Sequence, residues 1–288
     1  MGDAFQIAPG WESLLAAHGL CELAAVFNWR RGERLDKAGL ESWRQRWRIS
    51  LPDRGGFEQS LYLKRFDHPP VRRQVQRWRS GHRGLSTAGI EWTNARLLAG
   101  AGICAAEPIA FGEQMTGPWE RRSFILLGEV PGEALERWLP VHLPPADQEA
   151  NVRRRRAVAD RLARFVAAFH AAGFVHRDLY LSHVFIRPAV PPADDQATTR
   201  DETFCLIDLQ RVFRPRWRRR RWVVKDLAAL NYSAPADRVG RGERLRFLCR
   251  YVRRCGRFGS ARRLARLVDA KTSRIARRLG AKQRAIPV

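Results

Sequence analysis

Two stretches constrain this chain more than any others: F174-V-H-R-D-L-Y-L-S-H-V-F-I186 and C205-L-I-D-L-Q-R-V212. Each sets an aspartate against a short apolar run. Asp178 precedes a strand expected over 184–186, and Asp208 closes one expected over 204–207. Just upstream, residues 149–172 read as one long helix, with Val158, Leu162, Phe165, Val166 and Phe169 on a single stripe and Gly173 ending it. Two short strands, each with an aspartate at one edge and a long helix behind them, suit a metal-bound triphosphate. Mg²⁺ takes hard oxygen ligands, commonly one or two carboxylates plus phosphate.

The first half of the chain has a different character. Residues 11–27 read as a short helix or two, interrupted near Gly19. From Ser42 to Leu51 the pattern alternates: Trp43, Trp47, Ile49 and Leu51 share one face, and Arg44, Arg46, Arg48 and Ser50 the other. A turn at 52–56 leads to a second strand over 58–66, so the two form a hairpin. On that strand Lys64 shares a face with Tyr62 and Phe66. Residues 69–84 read as a basic loop with a helical turn. Ser86 caps a helix over 87–98 that carries Glu91, and Gly100 and Gly102 end it. Two more strands are expected near 105–112 and 122–129. Pro131-Gly132 then acts as a hinge, leaving a sheet lobe over 1–128 and a helical lobe over 129–288. Past the hinge, a short helix begins at Ala134, and the polar stretch 187–203 reads as a proline-rich loop. Two basic helices are expected near 242–254 and 261–279. The fold class is α+β: a small antiparallel sheet lobe and a larger, mainly helical one.

Phosphoryl transfer needs a carboxylate to orient or deprotonate the attacking hydroxyl, and a cation to hold the phosphates. Asp178 suits the first task, Asp208 a metal, and Lys64 the phosphates, with Glu91 placed to pair with Lys64. A His-Arg-Asp tripeptide alone arises by chance in an arginine-rich chain; its company with Asp208 and Lys64 gives it weight.

Charge bears on the partner. Lys plus Arg total 53 against 29 acids, a net charge of +24. Such a surface attracts polyanions: nucleic acid, anionic lipid or a phosphorylated glycan. The run R214-P-R-W-R-R-R-R-W222 concentrates it beside the expected site, where Arg216, Arg218 and Arg219 are candidates to grip an anionic substrate. The five cysteines follow no metal-site spacing and mostly sit in apolar runs, which reads as a reduced cytoplasmic protein with buried thiols. No signal-peptide pattern opens the chain, and no apolar run nears the ~20 residues of a spanning helix. Membrane contact, where made, is expected to be peripheral.

These motifs, with Y62-L-K-R-F66, S86-T-A-G-I-E-W92 and W217-R-R-R-R-W-V-V-K-D-L-A-A-L230, resemble the lipopolysaccharide core kinases of the Kdo/WaaP type, within the protein-kinase-like superfamily. The resemblance spans about Ser60 to Ala234. It implies a bilobal kinase fold and a cytoplasmic enzyme at the inner face of the inner membrane. That enzyme would use ATP and Mg²⁺ to phosphorylate a heptose or Kdo of the core glycolipid. By position Asp178 becomes the base, Asp208 the magnesium ligand, Lys64 the phosphate-binding lysine and Glu91 its partner. Glu129 and Val130 fall where adenine is held, and Asp226 matches an aspartate that braces the loop backbone from a later helix. His183 stands where many kinases carry a metal-binding asparagine, and histidine is usual there in this family. Three roles stay open for His183: metal ligand, hydrogen bond to Asp178 or phosphate, or packing.

The chain departs from the wider kinase pattern. It lacks a glycine-rich loop, so phosphate cover is expected from the backbone or from basic side chains such as Arg44 or Arg46. Tyr62 stands where many kinases have an alanine facing the nucleotide, so a narrower ATP pocket is expected. Only 17 residues separate Asp208 from Asp226, too few for a phosphorylation-switched loop. Two rival readings accompany the glycolipid kinase. One is a non-catalytic module binding nucleic acid or anionic membrane; the other is a kinase with a protein or small-molecule acceptor. Oligomeric state has no signature in the sequence.

Overall fold

The computed structural model describes residues 2–35, 41–143, 152–187, 203–256 and 258–284. The chain divides into two compact units, Met1–Val130 and Pro131–Val288. Most of the expected 187–203 loop, residues 149–151 and Gly39 lie outside the described residues.

The first unit is a six-stranded antiparallel sheet in the order β1-β5-β6-β4-β3-β2. The strands are β1 (Gly2–Ile7), β2 (Glu33–Arg34), β3 (Arg44–Pro52), β4 (Glu58–Asp67), β5 (Pro108–Thr116) and β6 (Trp119–Gly128). Helices α1 (Glu12–Ala17) and α2 (Leu23–Asn28) cover one face. Their Leu15 and Val26 pack with Ile49, Leu51, Leu61, Leu63, Phe124 and Leu126, alternate residues of β3, β4 and β6. The hairpin turn is held by Asp53, whose carboxylate accepts from the Gly55 and Phe57 amides at 2.8 and 2.9 Å. The period of two therefore leaves Tyr62 and Lys64 on the opposite face.

Helix α4 (Thr87–Gly100) starts where Ser86 Oγ accepts the Gly89 amide at 2.9 Å. The stretch expected to be mostly loop instead holds a nine-residue helix, α3 (Val71–Arg79). Its buried side chains are Gln74 and Arg77 rather than hydrocarbons. Gln74 bonds the Pro69 carbonyl and the Glu120 amide, and Arg77 the Pro118 carbonyl. A helix anchored by polar groups leaves no apolar stripe to read. Strand β1 was not anticipated either; it pairs antiparallel along β5, from Gly2 opposite Met115 to Ile7 opposite Ala110.

The second unit carries a three-stranded sheet of β7 (Glu133–Ala134), β8 (Val184–Arg187) and β9 (Thr203–Leu206) in that order. Around it lie α5 (Leu135–His142), α6 (Val152–Ala171), α7 (Arg219–Ser233), α8 (Arg241–Cys255) and α9 (Ala261–Arg284). On α6 the stripe buries Val158, Leu162, Val166 and Phe169. Phe165 stays partly exposed, its ring 5.9 Å from that of Phe204. Gly132 adopts φ +102°, and a side chain there would set its Cβ 2.1 Å from the Ile186 carbonyl oxygen. That contact is why a glycine opens this unit. Helix α9 packs Leu264 and Val268 inward, and its Thr272 accepts from Asn231 of α7 at 3.1 Å. The expectation of reduced, buried thiols fails: Cys104 and Cys205 are each disulfide-bonded, Cys21 is exposed, and Cys249 and Cys255 are partly exposed. Among the described residues no helix is long and apolar enough to cross a membrane.

Candidate active site

In the first unit the sheet face away from α1 and α2 presents Lys64. Its Nζ donates to Glu91 Oε1 at 2.6 Å, and the Glu91 side chain is fully buried. A buried carboxylate needs such a partner, and the pair pins the lysine beside α4. Arg46 stands directly opposite Lys64 on β3, and Arg48 opposite Tyr62. Arg44 lies over the Trp43 and Phe66 rings, at 5.5 and 5.7 Å. Tyr62 is committed: its hydroxyl donates to Glu129 Oε1 at 3.2 Å, and Arg48 donates to the same oxygen at 3.0 Å. Burial first, then the Glu129 charge, push the phenol pKa up. Glu129 also donates its amide to the Ser60 carbonyl at 3.1 Å, and Val130 is buried. The Glu129 carboxylate and amide thus serve the first unit itself.

In the second unit the loop after α6 carries His176, Arg177 and Asp178. Arg177 takes φ +70°, a strained backbone for a residue with a side chain. Asp226 of α7 holds it there: Oδ2 accepts the His176 amide and Oδ1 the Arg177 amide, both at 2.7 Å. The Asp226 carboxylate is fully buried. His170 Nε2 lies 3.4 Å from Asp226 Oδ2, and its Nδ1 lies 2.9 Å from the Tyr251 hydroxyl. A carboxylate only accepts, so His170 carries its proton on Nε2 and receives the Tyr251 hydroxyl on Nδ1. Burial raises the Tyr251 pKa strongly, which keeps that hydroxyl protonated.

Two histidines shape the loop further. His183 Nδ1 lies 2.8 Å from the Asp178 carbonyl and therefore donates to it. Its Nε2, left bare in the neutral ring, faces Asp208 Oδ2 at 3.8 Å. Of the three open roles, the hydrogen bond to Asp178 is made, through the backbone. His176 Nε2 donates to the Ile207 carbonyl at 3.0 Å, tying the loop to β9. Asp208 follows β9 with φ +58° and ψ +62°, and its side chain is 32% exposed.

Burial holds His176 below the ordinary imidazole pKa of about 6.5. The unfolded chain therefore takes up a proton that the folded chain refuses. The stabilisation is complete above about pH 6.5 and is lost as pH falls below it. Stability against urea is expected to fall as pH drops below about 6.5, by up to about 1.4 kcal/mol per pH unit, before carboxylates titrate near about 4. His176→Gln, which keeps a donor for Ile207, should flatten that limb.

The donor set fits a hard divalent cation held with its substrate. Among the described residues no three His, Cys, Asp or Glu side chains form a closed metal cage. Asp208 offers one partly exposed carboxylate, as Mg²⁺ needs when phosphates complete its shell. His183 Nε2 is the nearby nitrogen, a poorer match for Mg²⁺. Of the substrate candidates, Arg216 and Arg218 are exposed beside Trp217, itself 83% exposed. Arg219 is partly buried and donates to the His170 carbonyl.

Sequence reasoning passed over Arg211 and Lys225. Arg211 Nη1 donates to Asp178 Oδ2, and Lys225 Nζ lies 3.6 Å from Oδ1 while donating to the Arg177 carbonyl. Among 53 basic residues neither had a distinguishing signal beyond adjacency to Asp208 and Asp226.

This chain is similar to known proteins over these elements. The lipopolysaccharide kinase (Kdo/WaaP) family profile matches residues 52–251. The lipopolysaccharide core heptose(I) kinase WaaP of Pseudomonas aeruginosa is 35% identical over 169 residues, 57% of this chain and 59% of that protein. WaaP of Escherichia coli is 31% identical over 151 residues, 51% and 53% of the two chains. The chain thus matches less than two-thirds of the length of these curated relatives. A solved structure of WaaP in complex with acyl carrier protein shares the fold, with a TM-score of 0.66 at 24% identity over 94% of this chain and 98% of that one. The α+β, kinase-like architecture and the profile match over most of its length agree: the chain belongs to the lipopolysaccharide kinase (Kdo/WaaP) family.

Proposed function

We propose that this chain is an ATP- and Mg²⁺-dependent kinase that phosphorylates a sugar hydroxyl, a heptose or Kdo, of a lipopolysaccharide core. The observation that carries the reading is the second unit's loop. Asp178 is presented at a strained turn whose two preceding amides are fixed by buried Asp226. Holding a carboxylate this rigidly, with a second, partly exposed carboxylate, Asp208, just past β9, serves chemistry better than it serves packing.

The roles follow. Asp178 accepts the proton of the attacking sugar hydroxyl. The hydroxyl oxygen forms a bond to the terminal phosphorus, and the bond to the ADP oxygen breaks with its electron pair leaving on ADP. Asp208, with His183 beside it, would hold Mg²⁺, which offsets phosphate charge when bound. Lys64, oriented by Glu91, binds phosphate. Glu129 and Val130 are assigned to adenine through the Glu129 carbonyl and the Val130 backbone, since the Glu129 carboxylate is engaged by Arg48 and Tyr62 and its amide by the Ser60 carbonyl. Arg216 and Arg218 meet the anionic glycolipid, while Arg219 supports α6 from within.

The exposed Arg-Trp-Arg run and the net charge of +24 support work at an anionic membrane surface, the cytoplasmic face of the inner membrane. The test is mass spectrometry of lipid A-core from a strain deleted for this gene. Loss of one phosphate (about 80 Da), restored by the wild-type gene, is expected. An unchanged core would overturn the assignment of substrate.

A further inference from the structure

Two cations touch the Asp178 carboxylate, and they are held differently. Lys225 has a side chain 26% exposed, precedes Asp226 on α7 and donates to the Arg177 carbonyl. Burial lowers its ammonium pKa. It is part of the frame. Arg211 is 50% exposed and closes the 3₁₀ turn Leu209–Arg211 that begins right after Asp208. Among the described residues Asp178 is the one acid its side chain pairs with.

This arrangement is awkward for a proton acceptor. An oxygen that already accepts from a guanidinium is a weaker base, and Arg211 lies on Oδ2. A guanidinium is also a bidentate phosphate binder, with a fork that matches phosphate oxygens. The sequence offers no glycine-rich loop whose backbone amides could do that work. A cation starting from the Asp208 turn is placed to do it instead.

We propose that Arg211 is a phosphate-binding catalytic residue. Without nucleotide it rests on Asp178. With nucleotide it pairs with the terminal phosphoryl group, which uncovers Oδ2 for the sugar hydroxyl while Lys225 keeps Oδ1 in place. Arg211 forms no covalent bond in the transfer. It offsets the charge on the phosphoryl oxygens, the task an arginine finger performs in other phosphoryl-transfer sites. This inference rests on the kinase reading above, and the test separates the two.

The experiment is calorimetric titration of the full chain, with Mg²⁺ present, using ADP and a non-hydrolysable ATP analogue in parallel. Arg211→Ala is expected to lose about tenfold or more in affinity for the analogue, the worth of a charge-assisted hydrogen bond. Its ADP affinity should stay within about twofold, and Arg211→Lys should recover part of the loss. At saturating ATP the turnover of Arg211→Ala should fall about 10³-fold. Equal change toward both nucleotides, or none, with wild type binding both, would show Arg211 to be only a surface ion pair. Binding of neither nucleotide by wild type would overturn the kinase reading and this inference with it.

Discussion

Asp226→Ala is expected to cost the second unit about 3–5 kcal/mol and to abolish phosphate transfer. The His176 and Arg177 amides each donate to this carboxylate at 2.7 Å, in a region closed to water. Removing it leaves two buried donors unmatched, at about 1–3 kcal/mol each. It also releases Arg177 from φ +70°, so the loop relaxes and Asp178 moves with it. His170 loses its acceptor on Nε2 at the same time. Asp226→Asn keeps one oxygen and should lose about half as much stability. Urea denaturation of the three proteins measures the series. A loss below about 1 kcal/mol in Asp226→Ala would mean that the amides find other partners.

Asp178→Asn is expected to do the opposite: a folded protein with almost no turnover. The side chain is 22% exposed, and its partners are a half-exposed arginine and Lys225. Ion pairs of that exposure are worth about 0–1 kcal/mol, so the unfolding midpoint should barely move. Asparagine cannot take the hydroxyl proton, and general-base contributions run to about 10²–10⁴ in rate. Turnover should therefore fall by about 10³ with nucleotide binding kept. A variant that keeps a tenth of the activity would move the base elsewhere.

Much of this was legible in the sequence because it depends on local pattern. The β3–β4 hairpin followed from strict alternation and the Asp53 turn, and α4 from Ser86 and its terminal glycines. Pairing of Lys64 with Glu91 needed only a strand face and a helix's first turns. Helix α3 was missed because it buries an amide and a guanidinium where pattern reading looks for Leu or Val. Strand β1 was missed because six residues at a chain end gain their identity from β5 and not from themselves. Helix α7 was readable through its family motif and not through periodicity, since its first turns are arginine and its buried residues include Asp226. The His183 contact turned on geometry: a ring nitrogen 2.8 Å from a carbonyl five residues back cannot be read from spacing. Arg211 was hidden by abundance, one arginine among many.

The central claim is that Asp178 serves transfer of phosphate to a core sugar. Its most direct test is transfer of γ-labelled phosphate from ATP to purified core glycolipid, run side by side for wild type and Asp178→Asn. The account predicts label in the core sugar with wild type and background with the variant. Equal labelling by the two proteins would contradict it.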